Sequence, residues 1–591
     1  MNNLPLEFYN EKLLQYEVDL KKNKKQLLVF ALLRLLIFLV TGLGIYLTLS
    51  IKLLPIAIAV IGFAVFLRLI VKHAALKKEN GFLKNLVFIN TKEIDYLTKG
   101  DLAYANGEEL IDGNHFYAAD IDVFGPGSIF NIINRTHSLE GKKKLANLLT
   151  ANEIDGIEEK QEMIKELANK ADWRQKFQAK INTMEAAISQ KVVMDWLKAY
   201  EAIVHPSFKK IKYLFQGLTL VFLIGYIFDF INYLPLLLLF FVGLFISGKY
   251  VGKINKFNVH LSELKQVFSS YADPIASVEA EEFRAKLNQE VQANVKKEGE
   301  SASQLIHEFS KYLSALDQRN NILFAVLGNG FLLWDISQVN KIDTWLKNHV
   351  QDIEGWFNAI TYFEANNSLG NFSYNHPTYT FPKINKQSND VIQAKQLGHL
   401  MIDAKKRVNN DFKIGTNEFD IITGANMAGK STFLRTVALS IVSANVGLPV
   451  CATSFEYNPI RLITSMRNND SLQSDSSYFY AELVRLKTII DAIAEKPYFI
   501  ILDEILKGTN SKDKEQGSIQ LMHKLSKSNS AGIIATHDLG LCEIEKELDN
   551  ITNLYFDAEI ENDELYFDYT LKSGICQNMN ASFLLKKMAI I

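Results

Sequence analysis

Gly424-Ala425-Asn426-Met427-Ala428-Gly429-Lys430-Ser431-Thr432 reads G-x-x-x-x-G-K-S-T, directly after an apolar run at 419–423 and before a helical pattern at 433–444. That strand, loop and helix context identifies a phosphate-binding loop. Gly424 and Gly429 let the backbone fold closely around phosphate oxygens, and N–H groups at the helix start point at the anion. Lys430 is the long-reach cation for the β- and γ-phosphates, and the Ser431 hydroxyl is a candidate ligand for Mg²⁺. The whole stretch, Ala425, Asn426, Met427, Ala428 and Thr432 included, is therefore the expected binding site for ATP with Mg²⁺.

Such a loop needs a carboxylate on the metal side. Tyr498-Phe499-Ile500-Ile501-Leu502-Asp503-Glu504 supplies it, as an apolar strand ending in two acids. Asp503 is expected in the Mg²⁺ shell beside Ser431, with Glu504 placed to polarise the attacking water. A third apolar run, 532–535, ends in Thr536-His537, which puts His537 at a strand end within reach of the γ-phosphate or that water. The expected catalytic set is Glu504, His537 and Lys430. Short β-rich runs alternating with helical ones make residues 396–591 an α/β P-loop ATPase domain of the ABC type.

Upstream, four apolar runs dominate. Residues 27–49 carry one charge, Arg34, and residues 53–71 one, Arg68; a second pair covers 214–231 and 234–247. The first run is long enough to cross about 30 Å of hydrocarbon as a helix, and the pairs read as two transmembrane hairpins, 27–71 and 214–248. Lysines flank both hairpins: 21, 22, 24, 25, 72, 77 and 78 around the first, 209, 210, 212, 249 and 253 around the second. The tips hold only Lys52 and Asp229. By the positive-inside rule the segment 1–26, the middle and the C-terminal half are expected in the cytoplasm of a multi-pass cell-membrane protein. A fifth apolar stretch, 322–334, is 13 residues long with Asn329 inside it, and is expected to be a core helix.

The remainder, 72–213 and 249–395, is polar with helical spacing, as in Leu305, Phe309, Leu313 and Leu316, and reads as a mostly α-helical region in two parts. Over the whole 591-residue chain, 64 Lys and Arg against 66 Asp and Glu leave no overall charge to attract nucleic acid or anionic lipid, so any such partner must be met locally. Cys451, Cys542 and Cys576 form no CxxC pair, which argues against a disulfide framework and against a cysteine zinc site.

Together these residues resemble the MutS family of DNA mismatch-repair ATPases. Thr423 to Thr432 is similar to the family's TGPNMGGKST, including the Asn-Met pair. Asp470-Ser471-Leu472-Gln473-Ser474-Asp475-Ser476-Ser477-Tyr478-Phe479-Tyr480-Ala481-Glu482-Leu483 resembles its signature segment, Asp503-Glu504-Ile505-Leu506-Lys507-Gly508-Thr509-Asn510 its DEIGRGTS, and Ala535-Thr536-His537 its ATH switch. Asp122-Val123-Phe124-Gly125-Pro126-Gly127-Ser128-Ile129-Phe130-Asn131-Ile132-Ile133-Asn134-Arg135-Thr136 looks like the start of its core and lever. The resemblance implies a homodimer joined through the ATPase domains, with Ser477 reaching the nucleotide of the other chain, and implies DNA as a partner. It does not extend to mismatch reading: Phe8-Tyr9-Asn10 has Asn where the family's Phe-x-Glu wedge has Glu. Leu506-Lys507 replaces Gly-Arg, and Asp475 replaces a signature-loop Gly. With the sequence ending at Ile591, no further dimerisation or nuclease domain is expected.

The expectation is thus a membrane-anchored, MutS-like ATPase clamp that couples hydrolysis to binding DNA or another partner. An ATP-driven transporter is the alternative from another class, against which stand the missing LSGGQ string and the sparse four spans. A membrane organiser without a DNA role is the third reading.

Overall fold

The computed structural model describes residues 4–577 except 52, 184–189, 206–207, 298, 467–477, 507–509 and 562–563. Two long helices open the described chain, α1 (Leu4–Thr48), continuous from a polar half into an apolar half, and α2 (Leu54–Lys99), continuous from an apolar half into a polar one. The change of hydropathy near residues 26 and 71 does not break either helix, because nothing in those stretches opposes helical backbone. Their apolar windows are uncovered by protein, whereas the polar halves pack on the core. Tyr9, 1% exposed, donates to Asn375 Oδ1 at 2.8 Å, and Asn80 donates to Asn23 Oδ1 at 2.9 Å across the helix pair. Tyr9 is therefore an anchor of the N-terminal helix.

The helical core continues with α3 (Ile129–Ile133), α4 (Leu139–Thr150), α5 (Ile157–Asn169), α6 (Ala171–Ile181) and α7 (Gln190–Ala199). Next come α8 (Phe208–Ile227) and α9 (Leu234–Ala280), then α10 (Lys286–Gln292), the small β1–β2 ladder (Lys296–Lys297 with Glu300–Ser301), α11 (Ala302–Asp317), α12 (Ile322–Leu332) and α13 (Trp334–Asn375). Among the described residues four helices, α1, α2, α8 and α9, are long and apolar enough to cross a membrane. The apolar arm of α9 runs without interruption into core packing, where Phe268 meets Phe309 of α11 at 4.7 Å and Phe309 stacks on Trp345 of α13 at 4.2 Å. The expected core helix at 322–334 is corrected. Ile322 and Leu323 are 78% and 72% exposed, and α12 meets α13 at a 79° bend, so its length is helical but its outer face is not core.

Two polar clusters pin the long helices together. Glu93 of α2 forms a buried ion pair with Arg135, whose guanidinium also bonds the carbonyls of Ile132 and Asn134 and lies 4.8 Å from the Tyr104 ring. Burial pushes the Glu93 pKa up, but Arg135 and Asn375 pull it back below the ordinary range. Glu364 of α13 accepts from the backbone N–H of His137 (2.6 Å) and Ser138 (2.7 Å), capping the start of α4. Burial raises its pKa despite those bonds.

The C-terminal part holds two sheets. One is four-stranded, in the order β3 (Lys383–Ile384), β7 (Ser454–Tyr457), β4 (Asp390–Leu397), β5 (Asn410–Gly415). The other is six-stranded, in the order β14 (Leu571–Ser573), β11 (Ile551–Phe556), β6 (Phe419–Gly424), β10 (Ala531–Ala535), β9 (Tyr498–Asp503), β8 (Arg461–Ser465). All its neighbours are parallel except the β11–β14 pair, and α14 (Lys430–Val446), α15 (Tyr478–Glu495) and α16 (Ser511–Leu525) connect the strands. A small ladder, β12 (Glu559–Glu561) with β13 (Glu564–Tyr566), precedes β14. The segment at 115–136 docks this domain on the core. Asp120 accepts from Thr464 Oγ1 at 2.5 Å, Asp122 pairs with Arg435 at 3.3 Å, and Arg485 donates to the carbonyls of Phe116 and Thr464.

Candidate nucleotide-binding site

Strand order explains why residues far apart in sequence meet. β6 is central, β10 lies beside it and β9 beside β10, all parallel, so their carboxyl ends open on one edge of the sheet. This is where ligands of open α/β sheets sit. The phosphate loop leaves the end of β6, His537 follows the end of β10, and Asp503 and Glu504 stand at the end of β9. His537, on the middle strand, therefore falls between the other two groups. Its Nε2 is 3.2 Å from Lys430 Nζ and 3.1 Å from Glu504 Oε1.

The loop geometry follows from its residues. Gly424 has φ 147°, and a Cβ there would lie 2.5 Å from the Phe556 carbonyl oxygen on the neighbouring strand. Gly429 has φ 106° and faces the Tyr569 ring, 3.1 Å from where a Cβ would stand. Only glycine satisfies both conditions at either position. Ala428 is fully buried under the loop, Asn426 and Met427 are exposed at its tip, and Thr432 is exposed in the first turn of α14. Lys430 starts α14 and donates to the carbonyls of Gly424 (2.8 Å) and Ala425 (3.1 Å). Burial lowers its pKa, opposed by the carboxylates of Asp503 and Glu504.

Ser431 Oγ donates to Asp503 Oδ2 at 2.7 Å. Two hard oxygens side by side fit Mg²⁺, which takes a few protein oxygens and completes its shell with phosphates and water. Glu504 is held on left-handed backbone, φ 54°, with its N–H bonded to the Ala535 carbonyl at 2.9 Å. Beside the loop lies a cleft of about 470 Å³, lined among others by His399, Val408, Asn410, Phe556 and Tyr569. That volume is in the range of small-molecule sites, about 300–1,000 Å³.

The structure brings together Lys430, Ser431, Asp503, Glu504 and His537. Ser477 lies outside the described residues, as does most of the signature segment. Its described end carries Glu482, which is buried on α15 and accepts from the Leu506 backbone N–H, tying the signature helix to the loop after Glu504. The cleft walls His399, Asn410 and Tyr569 escaped the sequence reading. No motif marks them; Asn410, at the start of β5, is joined to the chain entering β14 by its side chain, which donates to the Tyr569 carbonyl at 3.0 Å and accepts from the Leu571 N–H at 2.8 Å.

Residues 420–588 match MutS domain V. The chain is 32% identical to the DNA mismatch repair protein MutS of Finegoldia magna over 214 residues, 35% of this chain and 25% of that protein. It is 28% identical to MutS protein homolog 4 of Homo sapiens over 222 residues, 35% of this chain and 23% of that one. The matched part thus spans about a quarter of the length of these curated relatives.

Proposed function

The C-terminal domain belongs to the MutS family, and on that premise we propose that the chain is a membrane-anchored MutS-like ATPase. It binds ATP with Mg²⁺, closes on a second copy of itself, and couples hydrolysis to gripping DNA or another elongated partner. The observation that carries this reading is the convergence of Lys430, His537 and Glu504 at 3.1–3.2 Å beside the Ser431–Asp503 pair.

Backbone N–H groups of the loop and the α14 start bind the phosphates, and Lys430 turns its ammonium from the loop carbonyls to the β- and γ-oxygens. Ser431 and Asp503 hold Mg²⁺, which when bound neutralises phosphate charge. Glu504 orients the attacking water as a hydrogen-bond acceptor, and His537 fixes the Glu504 carboxylate from the next strand. Four apolar helices anchor the chain in the membrane, and the flanking lysines put the ATPase domain in the cytoplasm.

DNA enters this reading from the relatives, the first of which is a mismatch-repair protein by its name. A second reading, a membrane organiser driven by the same cycle without DNA, draws support from α9, which runs unbroken from an apolar arm into the core that carries the ATPase domain. Full-length protein in lipid nanodiscs, titrated with homoduplex, mismatched and branched DNA at two salt concentrations with and without ATP, separates the two. Salt-dependent, nucleotide-dependent DNA binding supports the clamp. ATPase activity without DNA binding supports the organiser. Lys430→Ala is expected to abolish nucleotide binding in either case, and unchanged ATP affinity would remove the site assignment.

A further inference from the structure

We propose that α12 is a lipid-contacting wedge: a helix that enters the bilayer beside the second hairpin, does not cross it, and forms the root of α13. The proposal rests on the reading of the hairpins as membrane spans. Ile322–Leu332 contains no charge, and Ile322, Leu323 and Leu327 are 78%, 72% and 53% exposed. Eleven helical residues reach about 16 Å, roughly half of a hydrocarbon core, so the segment cannot span. Its two ends are tied together. Arg319, before the helix, pairs with Asp335, after it, at 2.9 Å, and the Trp334 indole donates to the Ala315 carbonyl at 2.8 Å. Since α11 and α13 both pack in the helical core, the chain leaves the core and returns on one side.

The C-terminal end of α12, where the chain turns back into α13, lies among the apolar arms of the hairpin. The Gly330 backbone sits directly against Gly243 of α9, and the Phe331 and Phe240 rings are 4.9 Å apart. From α8, Gln216 Nε2 donates to the Leu332 carbonyl at 2.8 Å and Thr219 Oγ1 to the Phe331 carbonyl at 3.1 Å. The last carbonyls of a helix have no intrahelical donor. Water satisfies them at a wetted surface, whereas in hydrocarbon an internal donor must do so. Here two polar side chains in the arm of α8 perform that task, and buried Asn329 accepts from the Asp335 N–H at 3.0 Å. An apolar face alone could receive several occupants; internal satisfaction of the helix end, continuous with the bare arms of α8 and α9, selects lipid.

Single cysteines at Leu323 and Leu327 of the full-length protein, with Phe38 in α1 and exposed Lys386 as references, are spin-labelled in phosphatidylcholine–phosphatidylglycerol nanodiscs; the three natural cysteines are buried. Collisional relaxation by oxygen reports lipid and by a water-soluble nickel chelate reports water. The expected result is oxygen contact without nickel contact at Leu323 and Leu327, matching Phe38 and opposite to Lys386. Nickel contact at 323 and 327 with Phe38 still in lipid overturns the wedge while the hairpins stand. Protection from both reagents there means a second copy of the chain covers the face, and also overturns it. Nickel contact at Phe38 as well overturns the membrane reading and the wedge with it.

Discussion

Glu504 sits on left-handed backbone one residue past β9, a conformation that costs a non-glycine residue of order 1 kcal/mol or more and is retained where a side chain must be aimed. Glu504→Gln keeps that shape and loses the acceptor charge. It is expected to bind ATP normally and to turn over about 10²-fold more slowly or worse, read by phosphate release beside a nucleotide titration; wild-type turnover would move the role to His537. Four residues upstream of the loop glycine, on β6, Asp420 is 5% exposed, its Oδ2 finds no hydrogen-bond partner, and burial, then Glu418, raise its pKa to about 8. The folded chain keeps a proton that the unfolded chain releases near pH 4, so stability falls as pH rises from about 4 to about 8 and levels off above. Asp420→Asn removes that slope. Its melting midpoint is expected to match wild type near pH 4 and to exceed it at pH 8, by an amount equivalent to a few kcal/mol; equal midpoints at pH 8 would show the carboxyl to be satisfied. Lys430, Ser431, Asp503, Glu504 and His537 were legible in the sequence because each closes a linear motif at a strand end. Asp420 was not, since it reads as one polar residue in an apolar strand and its cost depends on what the neighbouring strands place around it.

At the scale of elements, the Glu93–Arg135 pair joins α2 to the segment that docks the ATPase domain. Glu93→Gln leaves a buried guanidinium without its counter-charge. The expected loss is about 3–5 kcal/mol in denaturant unfolding, and replacing both partners by Leu and Met should recover much of it. A loss below about 1 kcal/mol for the single variant would mean that water reaches the pair. In the ATPase domain the strands at 419–423, 498–502 and 532–535 and the helix after the phosphate loop were readable from period and punctuation, whereas the four-stranded sheet was not. The length of α1 and α2 was not, because hydropathy changes along them while backbone preference does not. Nor was the setting of α12, whose apolar run is too short to announce a membrane and whose outer face is bare only because α8, α9 and α13 converge on its other side.

For the whole molecule, hydrolysis is expected to need two chains, since the phosphate loop lines one side of the nucleotide and, by family resemblance, Ser477 completes the site of a neighbour. Mixing inactive Ser477→Trp and Lys430→Ala chains places both lesions in one of two composite sites. Up to about half of the wild-type activity per heterodimer should return, by the symmetry of a shared interface. Activity strictly proportional to concentration, down to verified monomer, would instead show that one chain suffices. The unbroken α1 and α2 have a further consequence. Forty-five helical residues measure about 68 Å; on the membrane-anchored reading about 30 Å of that is hydrocarbon depth, and the more than 30 Å of paired helix beyond it is packed along the core, as Lys12–Asp172 and Lys78–Asp273 show. The pair is a ruler: it sets a standoff between headgroups and catalytic domain, and images of membrane-embedded particles should show the ATPase density at one fixed height.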